Sequence, residues 1–228
     1  MYTSSRETGP VVVATFGLRT LRVDVSTPAA TFIPVMSSSY EFYYFELEGL
    51  GEAIRNILRY AKADWKDVHP EWPQFKPQTP FGVLPVLVET KPNGEKFTIG
   101  ESQAIERYLA SKYDLLPKDA SLEALAIYEQ YRSSLSNYIL EFGQYVFRKD
   151  ESKKQAVEDK VTILVEKHEE ALAANGSNGH YYGDKITYLD IVAYTNFMIL
   201  KKYGFGHLLE PEKAPSINKL IEVIGKAL

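Results

Sequence analysis

The chain contains no cysteine in 228 residues. Disulfides, thiolate metal sites and cysteine nucleophiles are therefore excluded, and any thiol chemistry must use a sulfur that the ligand brings. Histidine is scarce as well: His69, His168, His180 and His207 make up the full set of 4, and none has the spacing or acidic company of a metal site. They read as surface or interdomain residues, and no metal is expected. Basic residues are not in excess, with 26 Lys and Arg against 30 Asp and Glu and a formal net charge of −4. A nucleic-acid surface needs clustered cations to neutralise phosphates, so no such partner is expected. No apolar run approaches the ~20 residues that a bilayer span requires, so no membrane segment is expected and the protein reads as soluble and cytoplasmic.

What is present is an ordinary globular composition, 45% hydrophobic, long enough for one large domain or two small ones. Residues Met1 to Met36 stand apart: Arg6, Arg19 and Arg22, many Ser and Thr, and only Glu7 and Asp24 as acids. An Arg- and Ser-rich, acid-poor leader of this kind has the composition of a mitochondrial transit peptide, although its helical amphipathicity is poor. The plainer reading is that residues 1–38 are a disordered or loosely attached extension.

From Tyr40 the pattern becomes regular. Glu41 to Phe45 reads as a buried strand, Glu52 to Lys62 as a helix, Asp64 to Val68 as a second strand, and Val83 to Glu89 with Lys96 to Ile99 as a hairpin across Pro92-Asn93-Gly94. Ser102 to Tyr113 closes this part as a helix. The order βαβ…ββα suits a thioredoxin-like domain spanning 39–117. After Leu116-Pro117-Lys118-Asp119 the periodicity is helical throughout, over Ser121 to Arg148, Glu151 to Ala174, Tyr188 to Lys202 and Ser216 to Leu228. The fold class is therefore α/β plus all-α, with an all-helical domain over 120–228. Thr187-Tyr188-Leu189-Asp190 has the form of a capping box.

Two stretches carry most of the functional information. In Thr79-Pro80-Phe81-Gly82-Val83-Leu84-Pro85-Val86-Leu87, a proline stands directly before an apolar strand. Pro85 donates no backbone hydrogen bond, so it must open the strand. A cis Leu84-Pro85 bond would leave the Leu84 N–H and C=O free to pair with an extended peptide. Further on, Gly100-Glu101-Ser102-Gln103-Ala104-Ile105 reads as a loop entering a helix, with a carboxylate, a hydroxyl and free N–H groups at its start. Among Tyr40, Tyr43 and Tyr44, residue type alone does not separate a functional hydroxyl from core filling, but Tyr43 and Tyr44 must face opposite sides of a strand.

Together these stretches resemble the glutathione transferase family. Tyr44-Phe45, Gly49, Glu52-Ala53-Ile54-Arg55, Glu71-Trp72-Pro73, Lys76 and Pro80-Phe81-Gly82 fall in the order of its sigma-like class, which includes glutathione-dependent prostaglandin D synthases and S-crystallins. The resemblance covers roughly Ser39 to Leu228. It implies glutathione as co-substrate, a hydrophobic electrophile as second substrate, and a homodimer. It further implies Tyr44 as the hydroxyl donor that stabilises the thiolate. Trp72 and Lys76 would hold the glycine carboxylate, Leu84 and Pro85 the cysteinyl backbone, and Glu101 and Ser102 the γ-glutamyl ammonium and carboxylate. The thiolate would then add to an electrophilic carbon or reduce a hydroperoxide.

The sequence also departs from that pattern. Leu50 stands where an arginine is usual, Tyr128 and Arg132 stand where aspartates are usual, with Glu129 nearby, and Val83 replaces a polar residue. These departures keep two alternatives open: a non-catalytic protein that retains the fold, and a glutathione-dependent isomerase. Tyr131, Leu135, Tyr138, Phe142 and Tyr145 form a stripe at helical spacing that is either core or the wall of an electrophile pocket. Gly49-Leu50-Gly51 lacks the third glycine of a dinucleotide fingerprint, Ile54 taking its place. Asn175-Gly176-Ser177 is a glycosylation sequon without a credible secretory signal.

Overall fold

The computed structural model describes residues 11–16, 19–24 and 37–228. Strands β1 (Val11–Phe16) and β2 (Arg19–Asp24) pair antiparallel as a unit of their own. The expectations of disorder and of a transit peptide otherwise fall on 1–10, 17–18 and 25–36, outside the described residues.

The second unit, 37–228, begins with β3 (Ser39–Tyr43), α1 (Glu52–Tyr60), β4 (Asp64–Val68), β5 (Val86–Thr90), β6 (Lys96–Gly100) and α2 (Ser102–Lys112). The sheet order is β4-β3-β5-β6. The βα connection through α1 makes β3 and β4 parallel, and the short turn at Asn93-Gly94 makes β5 and β6 antiparallel. Along β3 the burial alternates, with Tyr40 and Phe42 inside. On α1 the core face is built by Ala53, Ile54, Ile57 and Leu58.

The rest is helical: α3 (Leu122–Ser134), α4 (Ile139–Arg148), α5 (Lys154–Ala174), α6 (Tyr188–Leu200) and α7 (Pro215–Gly225). The single helix expected over 121–148 is broken. Ser133, Ser134, Ser136 and Asn137 compete for backbone hydrogen bonds there. Ser136, Asn137 and Ile139 each bond to the carbonyl three residues back, and the Ser134 hydroxyl donates to the Tyr131 carbonyl at 2.8 Å. Among the described residues no helix is long and apolar enough to cross a membrane.

Helix α6 is buried almost all round, which is the signature of a central core helix. The expected capping box is present: Asp190 Oδ2 accepts the Thr187 N–H at 2.7 Å. Asn56 on α1 donates to Thr195 Oγ1 on α6 at 2.9 Å, and the Tyr188 N–H donates to the Leu115 carbonyl at 2.9 Å. These two bonds and the buried Glu106–Arg132 pair join the halves of the unit.

His168 corrects the reading of the histidines as surface or interdomain residues, since it is fully buried on α5. Because Ser134 gives its proton to Tyr131, its oxygen accepts from His168 Nε2–H at 2.8 Å, and Nδ1 accepts from the Tyr181 hydroxyl. Both ring nitrogens are satisfied only in the neutral form. Burial pushes the imidazole down to about 3. The unfolded chain therefore takes up a proton below pH ~6.5 that the folded chain refuses, and stability falls as pH drops from there toward 3. Urea unfolding of the wild type should lose about 2 kcal/mol more between pH 7 and pH 5 than that of a His168→Gln variant, which cannot titrate.

Candidate functional site

Strand register assembles the site. Val68, Tyr43, Val86 and Gly100 form one row across the sheet, so the next residues out are His69, Tyr44, Pro85 and Glu101. Three of these four, Tyr44, Pro85 and Glu101, were singled out from sequence, and they converge from three separate segments because the pairing leaves them no other place. The Leu84–Pro85 bond is cis, as is Trp72–Pro73. Leu84 N–H and C=O have no hydrogen bond to any described residue.

Tyr44 lies one residue beyond the end of β3, not within the strand as expected. Its side chain is only 6% exposed, and its hydroxyl oxygen accepts the Leu50 N–H at 3.1 Å. The oxygen being engaged as acceptor, the phenolic proton is free for another partner. Burial raises the Tyr44 pKa above 10, with the Leu50 N–H and the Arg55 charge opposing the rise. At neutral pH the residue is a donor and not a base. The turn around it admits no side chain at positions 49 and 51: a Cβ on Gly49 would fall 2.7 Å from the Tyr44 hydroxyl, and one on Gly51 would collide with the ring at Cδ1.

The remaining expected residues surround that hydroxyl's end of the sheet. Phe45 links Tyr44 to Trp72, with ring centroids 5.5 Å and 5.8 Å apart in turn. Lys76 opens a short 3-10 turn, its alkyl chain lies against Gly82, and its ammonium has no ion-pair partner among the described residues. Pro80 and Phe81 pack on Gly100, which brings the loop before Pro85 against the start of α2. Glu101 holds φ +68° and ψ +117°, a sparsely populated conformation for a residue with a side chain. Ser102, Gln103 and Ala104 follow with N–H groups that no described residue accepts, and Ser102 is buried with its hydroxyl equally without a partner among the described residues. A carboxylate fits such a helix start.

Sequence reasoning missed the groups that fix this geometry. Arg55, 4% exposed, donates to Asp67 at 2.8 Å and to the carbonyls of Leu47 and Phe45 at 2.8 and 2.9 Å, so it pins the loop that follows Tyr44. Its burial had no local signal, since the carbonyls it holds lie eight and ten residues away. Leu50 contributes its backbone N–H and not its side chain, so the missing arginine does not leave Tyr44 unsupported. Glu129 is taken by the Tyr188 hydroxyl at 2.8 Å and by Arg107, and the Tyr128 hydroxyl accepts the Leu189 N–H at 2.8 Å. Both are structural in this chain. The stripe on the first helices is mostly core: Leu135, Tyr138 and Phe142 are buried, Tyr131 packs on His168, and Tyr145 packs on Phe205.

Comparison with known proteins places this geometry in company. Residues 51–118 match the model of the glutathione S-transferase N-terminal domain, and residues 137–227 match that of the C-terminal domain. The chain is 33% identical over 181 residues to glutathione S-transferase 4 of Caenorhabditis elegans, covering 73% of this chain and 83% of that one. It is 30% identical over 162 residues to glutathione S-transferase 1 of Ascaris suum, covering 67% and 76%. Among solved structures it resembles a sigma class enzyme of Fasciola hepatica with a TM-score of 0.71 at 25% identity, over 83% of this chain and 91% of the other.

Proposed function

The chain belongs to the glutathione S-transferase family, and from that premise we propose that it ionises the glutathione thiol at Tyr44 and adds the sulfur to an electrophilic carbon. The observation that supports this reading most is the Tyr44 hydroxyl, buried, held as an acceptor by Leu50 N–H, and left with a proton to donate at the end of the sheet beside Pro85 and Glu101. The thiol loses its proton to solvent, and the Tyr44 O–H donates to the sulfur anion. The thiolate then forms a C–S bond while the leaving group departs with its electron pair. Catalysis is positioning plus stabilisation of the anion.

In this reading Leu84 pairs its backbone with the cysteinyl residue, Lys76 and the Trp72 N–H take the glycine carboxylate, Ser102 and the α2 start take the γ-glutamyl carboxylate, and Glu101 its ammonium. The second substrate is an apolar electrophile, with Tyr203 and the exposed Phe147 as its wall, their rings meeting edge-on at 5.9 Å over the buried Phe142. Turnover of glutathione with a dinitro-substituted aryl halide tests the activity; no conjugate at any pH would remove it. Ser102→Ala should raise the glutathione Kd about tenfold or more, the worth of one bond to a charged carboxylate, with kcat at saturation within about twofold.

A homodimer belongs to the same proposal. Phe81 and Val83, 70% and 45% exposed, leave an apolar edge beside the site that a second copy would cover. Sedimentation should give twice the chain mass for the wild type and the chain mass for Phe81→Glu.

A further inference from the structure

The turn that aims Tyr44 is held from both sides. On one side Arg55 grips the carbonyls of Phe45 and Leu47. On the other, Glu48 reaches out of the turn to the helical half, where its carboxylate accepts from the Lys202 ammonium and, at 3.2 Å, from the Tyr203 hydroxyl. Glu48 is also the first residue of the turn proper: its carbonyl accepts the Gly51 N–H at 3.0 Å and the Glu52 N–H at 2.9 Å. That closure leaves the intervening Leu50 N–H pointing at the Tyr44 hydroxyl. A carboxylate anchored 154 residues along the chain therefore sits at the root of the bond that orients Tyr44.

The helical partner is itself an irregular element. After α6 the backbone runs as a π-helical turn over Lys201–Phe205, with Tyr203 and Gly204 outside helical dihedrals and Gly204 at φ +95°. Single π turns of this kind recur at functional sites. Here the turn sets Tyr203 edge-on against the rings of both Phe142 and Phe147, and the Lys202 ammonium lies 5.4 Å from the Tyr203 ring centre. The hydrogen bond from Lys202 lowers the Glu48 pKa from its ordinary value, with burial opposing. Glu52, Arg55, Arg59, Asp67 and His69 line the same cavity of about 510 Å³. Glu52 is paired with Arg55 and Arg59, and Asp67 with Arg55, so Lys202 is the cation left for Glu48.

We propose that Glu48, clamped by Lys202 and Tyr203, is a positioning residue for the thiolate chemistry: the clamp holds the Glu48–Gly51 turn so that Leu50 N–H keeps the Tyr44 hydroxyl aimed at the sulfur. The clamp couples the wall of the electrophile cleft to the residue that ionises glutathione. The inference rests on the function proposed above for Tyr44.

The test follows conjugation of glutathione with the dinitro aryl halide as kcat against pH, for full-length wild type, Glu48→Gln, Lys202→Met, Lys202→Arg and Tyr44→Phe. For Glu48→Gln and Lys202→Met the acidic limb of the profile should move to higher pH, with kcat at pH 6.5 about threefold lower, the size expected of a partly exposed pair. The glutathione KM should stay within about twofold because the tripeptide contacts lie elsewhere, and Lys202→Arg should keep the wild-type profile. Profiles of Glu48→Gln and Lys202→Met that superimpose on the wild type, or that fall equally at every pH, overturn the proposal. A wild type no faster than Tyr44→Phe overturns the assignment of Tyr44 instead, so the two failures are distinguishable.

Discussion

Tyr44→Phe should lower kcat for glutathione conjugation at pH 6.5 by a factor of about 10 to 150 while leaving glutathione affinity within about twofold. A hydrogen bond to a charged group contributes roughly 1.5–3 kcal/mol, and that much differential stabilisation of the thiolate converts to this range in rate. The ring itself should stay in place. It is buried against the Gly49–Gly51 turn, and its partners in packing are Phe42 and Phe45, so phenylalanine fills the same space. The Leu50 N–H loses its acceptor, which costs some stability without changing the tripeptide contacts. Because the defect lies in ionisation, it should shrink as pH rises past ~8.5, where the free thiol ionises unaided. Steady-state kinetics across pH 6–9.5 measures all of this, and a variant as fast as the wild type at pH 6.5 would remove Tyr44 from the mechanism.

The second large effect concerns stability. Glu106 on α2 and Arg132 on α3 form a bidentate pair at 1% and 3% exposure, with Arg132 Nη2 donating at 2.8 Å and Nη1 donating onward to Ser136 at 3.2 Å. Burial pushes the Glu106 carboxyl up, and the guanidinium opposes that. Arg132→Met would leave a buried carboxylate without its cation, a change that costs about 3–5 kcal/mol. For a unit of this size that is a fall in melting temperature of about 10 °C. The double variant Glu106→Met with Arg132→Met should recover most of the loss, since two apolar side chains carry no desolvated charge. Differential scanning calorimetry of the wild type, both singles and the double closes that cycle. Additive losses would show that the pair is not coupled.

The contrast between Tyr44 and Arg132 marks how far the sequence can be read. Pro85 before an apolar strand, the Glu101-Ser102 helix start and the Thr187–Asp190 cap are local signals, carried by neighbouring residues, and the structure has all three. The convergence of Tyr44, Pro85 and Glu101 needed only the order and register of the strands. Arg132 was placed by resemblance as a departure from an aspartate, yet its partner Glu106 lies 26 residues away and periodicity says nothing of it. His168 was misread for the same reason, because the residues that satisfy it come from α3 and from the segment before α6. The break of the 121–148 helix was legible in principle, in the serines and asparagine at 133–137, but an uninterrupted apolar stripe across them argued the other way.

The most direct test of the account is the ultraviolet absorbance of the thiolate when glutathione is bound to the full-length protein and titrated with acid and base. The account predicts an apparent thiol pKa about 1–2 units below the free value of ~8.5 for the wild type, and a value near 8.5 for Tyr44→Phe. Bound glutathione that titrates near 8.5 in the wild type as well would contradict it.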